Sequence, residues 1–412
     1  MKYWKASPGL GLALAGLLST CLFAVGTMAD EVTDEVSFAS GLIGMGFPDL
    51  AETVLEQLQE RYPDRVEDTK LIRAELAMAY RRFEEAEKLV GEIPANSDKG
   101  RAIRLKLGTF FYGADQVNKA RALYEEFFDQ FDAVPTDPEM YETYEKASLH
   151  LAVILENAGQ YEAAAGSLGR IFAGNLDSED LRMYKEKQVI LWIRAAEGKE
   201  GVAEEKKRLL DKAAGQIRDI EFGGPFWVVR ATILRAKILL AEDKFDEALA
   251  ILKRQYRIFK QIEVSYQEER ISIPEFSPKS GYHYVRGLVY QERGFDAARN
   301  AQRRHPDALV VDVPNSLELF VGGLETLNEV EKLAARKIIG KAVGCYTKVL
   351  KDYGTGEHAT HARLRLAECM DAVRRLGGTI KLTVDLKPTK PLDADEMFRI
   401  ADTFYRNKKH RE

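Results

Sequence analysis

The densest group of potential metal ligands in the sequence comprises Glu357, His358, His361 and Glu368. Histidines three residues apart share one face of a helix, where they could bind a metal ion. A zinc site, however, needs three or four ligands held by further hydrogen bonds. The alternative interpretation is a polar, exposed start of a helix. We favour that interpretation and predict no metal site.

A second candidate is the aromatic segment that contains Tyr282, His283, Tyr284 and Tyr290. Tyrosines interleaved with polar side chains suit the recognition of a peptide or a glycan. The same residues could instead pack between helices, and Tyr290 is better placed for that role. For Tyr284 the two interpretations stay open.

No signature of a known catalytic centre is present: the sequence has no HExxH, GxSxG, phosphate-binding loop or CxxC pair. The chain is therefore predicted not to be an enzyme and to need no cofactor. The segment FGGPFW (222–227) could be an exposed binding loop. We interpret it as a turn in which Pro225 opens the next helix and the aromatic rings pack on the core.

The elements that must position these residues are recurrent helix pairs. A helical stretch ends near a Gly, an Asp or an aromatic residue, a short turn follows, and an alanine lies inside a second amphipathic helix. The first two spacings between these alanines are 35 and 34 residues, and the later ones are longer. The recurring alanines are Ala51, Ala86, Ala120, Ala164, Ala203, Ala248, Ala298 and Ala342.

Leu107-Gly108, Phe111, Ala120 and Tyr124 stand at the spacing of the tetratricopeptide repeat, which this chain resembles over roughly residues 33 to 377. A late unit fits with one residue deleted in its turn, through Gly287, Tyr290, Phe295 and Ala298. The resemblance implies an all-α, right-handed solenoid of about eight helix pairs. It also implies a groove lined by the first helix of each pair. By register, the groove residues are Tyr112, Asn157, Lys237, Tyr284 and Gln291.

The segment VLKDYGTGEHATHARLRLAEC (349–369) is similar in style to the tetratricopeptide repeats of bacterial cell-envelope proteins. The N-terminus agrees with export. Lys2 and Lys5 precede an uncharged, mostly apolar run from Gly9 to Gly26, and small residues end at Ala29. This pattern predicts a signal peptide, residues 1–29, cleaved after Ala29.

Two alternatives to cleavage remain: an uncleaved membrane anchor, or a lipid anchor at Cys21, which Thr20 fits poorly. The predicted location is periplasmic or secreted. The net charge of −5 makes the chain a poor general binder of nucleic acid. Cys345 and Cys369 could form a disulfide in an oxidising compartment, or remain buried thiols.

Three regions depart from the helical pattern. Residues 264–280 read as a long connection, and two β-branched runs, 308–313 and 379–386, are predicted to pair as a small β element. If they do not pair, the run 379–386 is an edge strand open to β-augmentation by a partner. A short helix from Asp393 to about Tyr405 and a basic tail complete the chain. The predicted organisation is a signal peptide (1–29), N-terminal repeats (30–175), middle repeats (176–264), C-terminal repeats with a long loop (265–377), and a strand, helix and tail (378–412).

These features predict an exported scaffold that mediates protein–protein interaction in the cell envelope by holding a protein or an extended peptide. A glycan- or peptidoglycan-binding module is the alternative, and an enzyme whose site is assembled from scattered residues is a third possibility. Fold by itself does not choose between them.

Overall fold

The computed structural model describes residues 28–63, 66–131, 134–173, 178–199, 202–268, 277–303, 327–354, 356 and 358–381. Fifteen α-helices and one short 3₁₀ helix account for most of these residues. The helices are α1 (Met28–Gly44), α2 (Pro48–Arg61), α3 (Val66–Ala79), α4 (Phe83–Glu92), α5 (Asp98–Gly113), α6 (Val117–Gln130), α7 (Pro138–Asn157), α8 (Tyr161–Gly169), η1 (Arg170–Ala173), α9 (Ser178–Glu197), α10 (Ala203–Glu221), α11 (Pro225–Ala241), α12 (Phe245–Glu268), α13 (Pro278–Arg303), α14 (Glu329–Asp352) and α15 (Ala359–Arg375).

Odd-numbered helices are the first members, or A helices, of successive pairs, and even-numbered helices are the B helices. The contacts divide the chain between residues 151 and 152, within α7, into unit 1 and unit 2. In each unit a helix packs against its successor, and an A helix also contacts the next A helix. This order of contacts is that of an α-solenoid, in which each pair buries its apolar surface on its neighbours.

One turn geometry recurs between A and B helices. Five turns place a residue with positive φ at the end of the A helix, and a buried alanine follows five residues later. The backbone N–H after that residue donates to a carbonyl five residues earlier, as from Gln116 to Phe111 at 2.8 Å. This is the Schellman type of helix end. The turn residues are Gly46, Arg81, Asp115, Gly159 and Asp243, and the alanines are Ala51, Ala86, Ala120, Ala164 and Ala248.

Each buried alanine of these five pairs lies twelve residues after a small residue on the A helix and four before a larger apolar one on the B helix. The small residues are Ala39, Ala74, Gly108, Ala152 and Ala236, and the larger ones are Leu55, Val90, Tyr124, Leu168 and Leu252. Where the A helix has alanine, the B helix has leucine or valine; where it has Gly108, the B helix has Tyr124. A Cβ on Gly108 would lie 2.5 Å from the Tyr124 ring, so the glycine makes room for the larger side chain.

The sequence-based assignment of a helix pair around Ala298 was wrong. Gly294 stands seven residues after Gly287, where the other A helices turn, but α13 continues to Arg303 as one helix. Phe295 and Ala298 are buried in the same core cluster as residues of α14. The B helix of this pair is α14, and its Tyr346 covers Gly287, where a Cβ would meet the ring at 2.6 Å. Seven complete pairs and the A helix α15 are therefore described.

The structure also changes three smaller predictions, which concern one recurring alanine and two connections between helices. Ala203 is exposed at the start of α10, and the buried alanine of that helix is Ala213. The connection predicted over 264–280 is shorter, because α12 ends at Glu268 and α13 begins at Pro278. In 222–227, Pro225 does open a helix and Trp227 is buried, whereas Phe222 is exposed.

The β element predicted from 308–313 and 379–386 falls largely outside the described residues, and Thr379–Lys381 form no strand. The signal-peptide segment up to residue 27 and the helix predicted at Asp393 also lie outside them. Within the described ranges, Cys345 and Cys369 are free, buried thiols. No helix in those ranges is long and apolar enough to cross a membrane.

Candidate binding surfaces on the A helices

A groove of about 890 Å³ lies on the A helices of unit 1. Its walls come from α1, α3, α5 and the start of α7, together with the end of the B helix α6 and residues 131 and 134–137. Four consecutive A helices therefore contribute to one depression, as expected where A helices form one layer of a solenoid. The side chains that the groove offers include Val36, Ser37, Leu71, Lys99, Phe131, Val134, Thr136, Met140 and Thr143.

The groove combines accessible apolar surface with fixed charges. Leu71, Phe131 and Met140 line it and are only half-buried. The guanidinium of Arg101 lies over the Phe131 ring, 4.6 Å from its centroid, and also pairs with Asp98. The negative face of the ring attracts such a cation, by about 0.5–1 kcal/mol at an exposed site.

Glu75 places a buried carboxylate at the base of this groove. Its side chain is buried, and it accepts hydrogen bonds from Ser40 Oγ and from Lys106 Nζ, both at 2.8 Å. The three residues belong to α1, α3 and α5. A buried carboxylate must be paired and hydrogen-bonded. Glu75 thus ties three A helices together beneath the groove.

Tyr112, a groove residue predicted from the sequence, lies in unit 1 but does not line this groove. Its ring stacks on His150 with 4.0 Å between centroids, and His150 Nδ1 is 3.0 Å from the Tyr124 hydroxyl. Burial lowers the pKa of His150. The half-buried Tyr112 ring therefore packs α5 against α7, with one of its faces covered by His150.

In unit 2, ion pairs connect successive A helices. Glu156 on α7 accepts from Lys187 and Arg194 on α9, at 2.7 and 2.8 Å. Glu186 on α9 accepts from Arg230 on α11 at 2.6 Å, and burial raises its pKa although the arginine opposes that shift. The predicted groove residue Asn157 is exposed at the end of α7, next to Glu156.

Lys237, another predicted groove residue, is half-buried on α11. Its charge acts on residues of two other A helices: it opposes the rise in the pKa of Glu197 and contributes to the lowered pKa of His358. Glu197 keeps exposed surface, yet burial is the main cause of its raised pKa.

Gln291 and Tyr284, the last two predicted groove residues, are buried. Gln291 is fully covered; it accepts from the Tyr346 hydroxyl and donates to Glu368, both at 2.8 Å. Arg365 donates to the same carboxylate at 3.1 Å. These side chains form an internal hydrogen-bonded network between α13, α14 and α15, rather than a surface that a ligand could reach.

The histidine and acid cluster predicted not to bind metal is split between different roles. His358 is buried and stacks on Tyr284, with 4.8 Å between ring centroids. Burial, together with the charge of Lys237, lowers its pKa to about 3. Glu368 is engaged with Gln291, and Glu357 is not among the described residues. In the part of the chain that the structure describes, no group of three or more His, Cys, Asp or Glu side chains could hold a metal ion.

The unit 1 groove is the feature that sequence reasoning missed. Its polar residues Ser40 and Glu75 each directly follow the small buried residue of their A helix, Ala39 and Ala74. Lys237 stands in the same position after Ala236. The position directly after the small residue therefore carried the signal, but the sequence-based prediction used it only at Lys237 and in unit 1 chose Tyr112, four residues after Gly108.

No protein-family model matches this chain, and no curated protein sequence matches it. Among solved structures, a monomeric mutant of IFIT1 with m7Gppp-AAAA is similar to it at 13% sequence identity and a TM-score of 0.32. The match covers 84% of this chain and 67% of that one. At this level of similarity it identifies neither a family nor a ligand for the chain.

Proposed function

We propose that the chain is an interaction scaffold of the tetratricopeptide type, a right-handed solenoid of about eight helix pairs that holds an extended segment of a partner protein on its A helices. The observation that carries this proposal is the groove of about 890 Å³ on unit 1. Its lining combines accessible apolar side chains with charged and polar ones, a composition that suits binding sites for peptides.

The size of the groove suits a peptide. Packed helices lie about 8–10 Å apart, so four A helices span roughly 25–30 Å. This is the length of about eight residues of extended chain. Leu71 and Met140 would contact apolar side chains of the ligand, and Lys99 and Thr143 its polar groups.

The proposal involves neither catalysis nor a cofactor, and it favours a protein over nucleic acid because Lys106 and Arg101 are already paired with acids. A glycan-binding role was based on Tyr284. That ring is packed between His358 and Tyr346, so it offers little surface to a sugar.

The experiment that tests the groove is site-specific photocross-linking in the cells that produce the protein. We expect p-benzoylphenylalanine at Ser37, an exposed groove residue, to form an adduct with another protein. Met140→Glu should reduce that adduct, because it places a charge on an apolar wall. The matched control is the same label at Lys88, which is exposed on the B helix α4 and outside the groove. Equal adducts from both sites, or none from Ser37, would contradict the proposal.

We further propose export to the periplasm or the medium, with cleavage after Ala29. The charge and hydropathy pattern of residues 1–29 supports this. N-terminal sequencing of the protein from its cells should begin at Asp30. A start at Met1 would indicate a retained segment, and a blocked, lipid-modified start at Cys21 would indicate a lipid anchor.

A further inference from the structure

The first helix pair, α1 and α2, differs from the others in what its surface offers. Four large apolar side chains of this pair are at least half exposed: Phe38 (51%), Met45 (63%), Phe47 (52%) and Leu50 (55%). Three of them lie within six residues at the turn between α1 and α2. We call these four residues the turn patch.

Other pairs of the same chain show that this patch is not required by the fold. Phe47 is the residue before the B helix, and Leu50 precedes the buried alanine Ala51. The four other pairs with the same turn have, at the position of Phe47, Arg82, Gln116, Gln160 and Lys244. At the position of Leu50 they have Glu85, Lys119, Ala163 and Glu247. Polar or small residues are compatible with the same turn, so the fold does not require the apolar residues of the first pair. Their exposure therefore indicates a contact with another molecule.

The pair is also strongly acidic. Residues 28–61 contain eight acidic side chains and one arginine, whereas acidic and basic residues balance over 62–412. Arg61 pairs with Glu35 at 2.9 Å. Asp34, Glu56 and Glu60 make no ion pair with any described residue. The negative charge of the whole chain is therefore concentrated on the helix pair that carries the turn patch, with Asp49 and Glu52 next to the turn and the other acids farther along α1 and α2.

We propose that the first helix pair is a docking surface for a cationic amphipathic segment of another protein. Apolar residues of that segment would cover Phe47 and Leu50, and its lysines or arginines would face the acidic side chains of α1 and α2. Two copies of this chain would bring like charges together, and an anionic bilayer would be repelled, so both are disfavoured as occupants. The surface is separate from the proposed groove, because Phe38 lies on a different face of α1 from Val36 and Ser40, and Met45, Phe47 and Leu50 follow the end of α1 and do not line the groove.

A direct test is the anisotropy of a labelled synthetic helical peptide, about four turns long, with one leucine face and one lysine face, added to the full chain. We expect binding that weakens as salt rises from about 0.05 M to about 0.5 M. The double variant Phe47→Ser/Leu50→Ser should bind at least about tenfold more weakly. Glu56→Lys/Glu60→Lys should also weaken binding.

The matched control is Val330→Ser/Leu333→Ser, which removes another pair of exposed apolar residues at the same spacing, on α14. It should leave binding unchanged, and thermal unfolding should show all variants folded. Equal binding of a leucine–glutamate peptide, an equal loss in the control, or no binding at all would overturn the proposal. A dimer by light scattering, or anionic vesicle binding, that Phe47→Ser/Leu50→Ser abolishes would also overturn it, in favour of a second copy or a membrane.

Discussion

The same packing motif occurs once in each unit, and the two copies differ in what surrounds them. In unit 1, Tyr124 on the B helix covers Gly108 on the A helix, and a Tyr112–His150 stack connects two A helices. In unit 2, Tyr346 covers Gly287. There a Tyr284–His358 stack joins α13 to the start of α15.

The copies differ in how their polar groups are satisfied. The Tyr124 hydroxyl meets the half-buried His150. The Tyr346 hydroxyl instead begins a chain of buried hydrogen bonds through Gln291 to Glu368 and Arg365. The steric requirement of a tyrosine over a glycine is therefore common to both. The polar network is particular to unit 2, where little water can replace a lost partner.

The largest expected difference between the two copies is in their stability at acidic pH, which should fall more in unit 2. The folded pKa of His358 is about 3, below its unfolded value near 6.5, so the unfolded chain takes up the proton first. Its contribution to stability is complete above pH 6.5 and is lost as the pH falls. We expect a loss of about 2 kcal/mol between roughly pH 6.5 and pH 4.5. Hydrogen exchange measured helix by helix should show α13–α15 opening before α5–α7.

The control for this effect is His358→Phe, which keeps a stacked ring and removes the titrating group. Burial lowers the pKa of His283 on α13 to about 4, so this group shifts stability in the same sense, whereas Glu197 and Glu292 have raised pKa values and shift it in the opposite sense. The comparison of wild type with His358→Phe isolates the histidine. An unchanged pH dependence in α13–α15 of this variant would exclude His358 as the cause.

Adding one methyl group should destabilise both copies. In Gly108→Ala and Gly287→Ala the new Cβ would lie 2.5 and 2.6 Å from a tyrosine ring. Overpacking of this kind costs about 1–3 kcal/mol, which the better helix propensity of alanine only partly offsets. Urea unfolding should show the loss. Gly215→Ala, where no atom lies within 4 Å of the added Cβ, should be neutral or stabilising.

In unit 1, Tyr124→Leu should restore part of the stability that Gly108→Ala removes. Four pairs of this chain combine alanine on the A helix with leucine or valine on the B helix, so Tyr124→Leu should cost less in Gly108→Ala than in wild type. In unit 2 the rescue by Tyr346→Leu should be smaller, because Gln291 loses a buried partner. Equal rescue in both units would show that the polar network adds nothing.

The smallest difference concerns a single hydroxyl. Tyr346→Phe leaves the Gln291 carbonyl unpaired in a fully buried site and should cost about 1–2 kcal/mol. Tyr124→Phe should cost less than about 1 kcal/mol, because His150 is half-buried and can reach water. Midpoints of chemical unfolding would measure both. A larger loss for Tyr124→Phe than for Tyr346→Phe would show that the hydroxyl is not more important in unit 2.

Much of the helical architecture could be predicted because its signals are local. Ala51, Ala86 and Ala120 recur at nearly constant spacing, and each is fully buried. Glycine or aspartate in the turn has a local conformational reason, as at Gly46 and Asp115. The candidate binding sites were harder to predict from the sequence. Gln291 occupies a plausible groove position in the register, but its burial depends on Tyr346, 55 residues later.

The sequence by itself determined that this protein is built of helix pairs, because apolar periodicity and small residues at fixed spacing act within one or two turns. Only the tertiary structure decided where one pair ends. Gly294 and Phe295 have the composition of a turn, yet α13 continues through them because α14 covers Phe295, Ala298 and Ala301. A helix end is local only when nothing distant buries the continuation, and here a partner beyond residue 327 does.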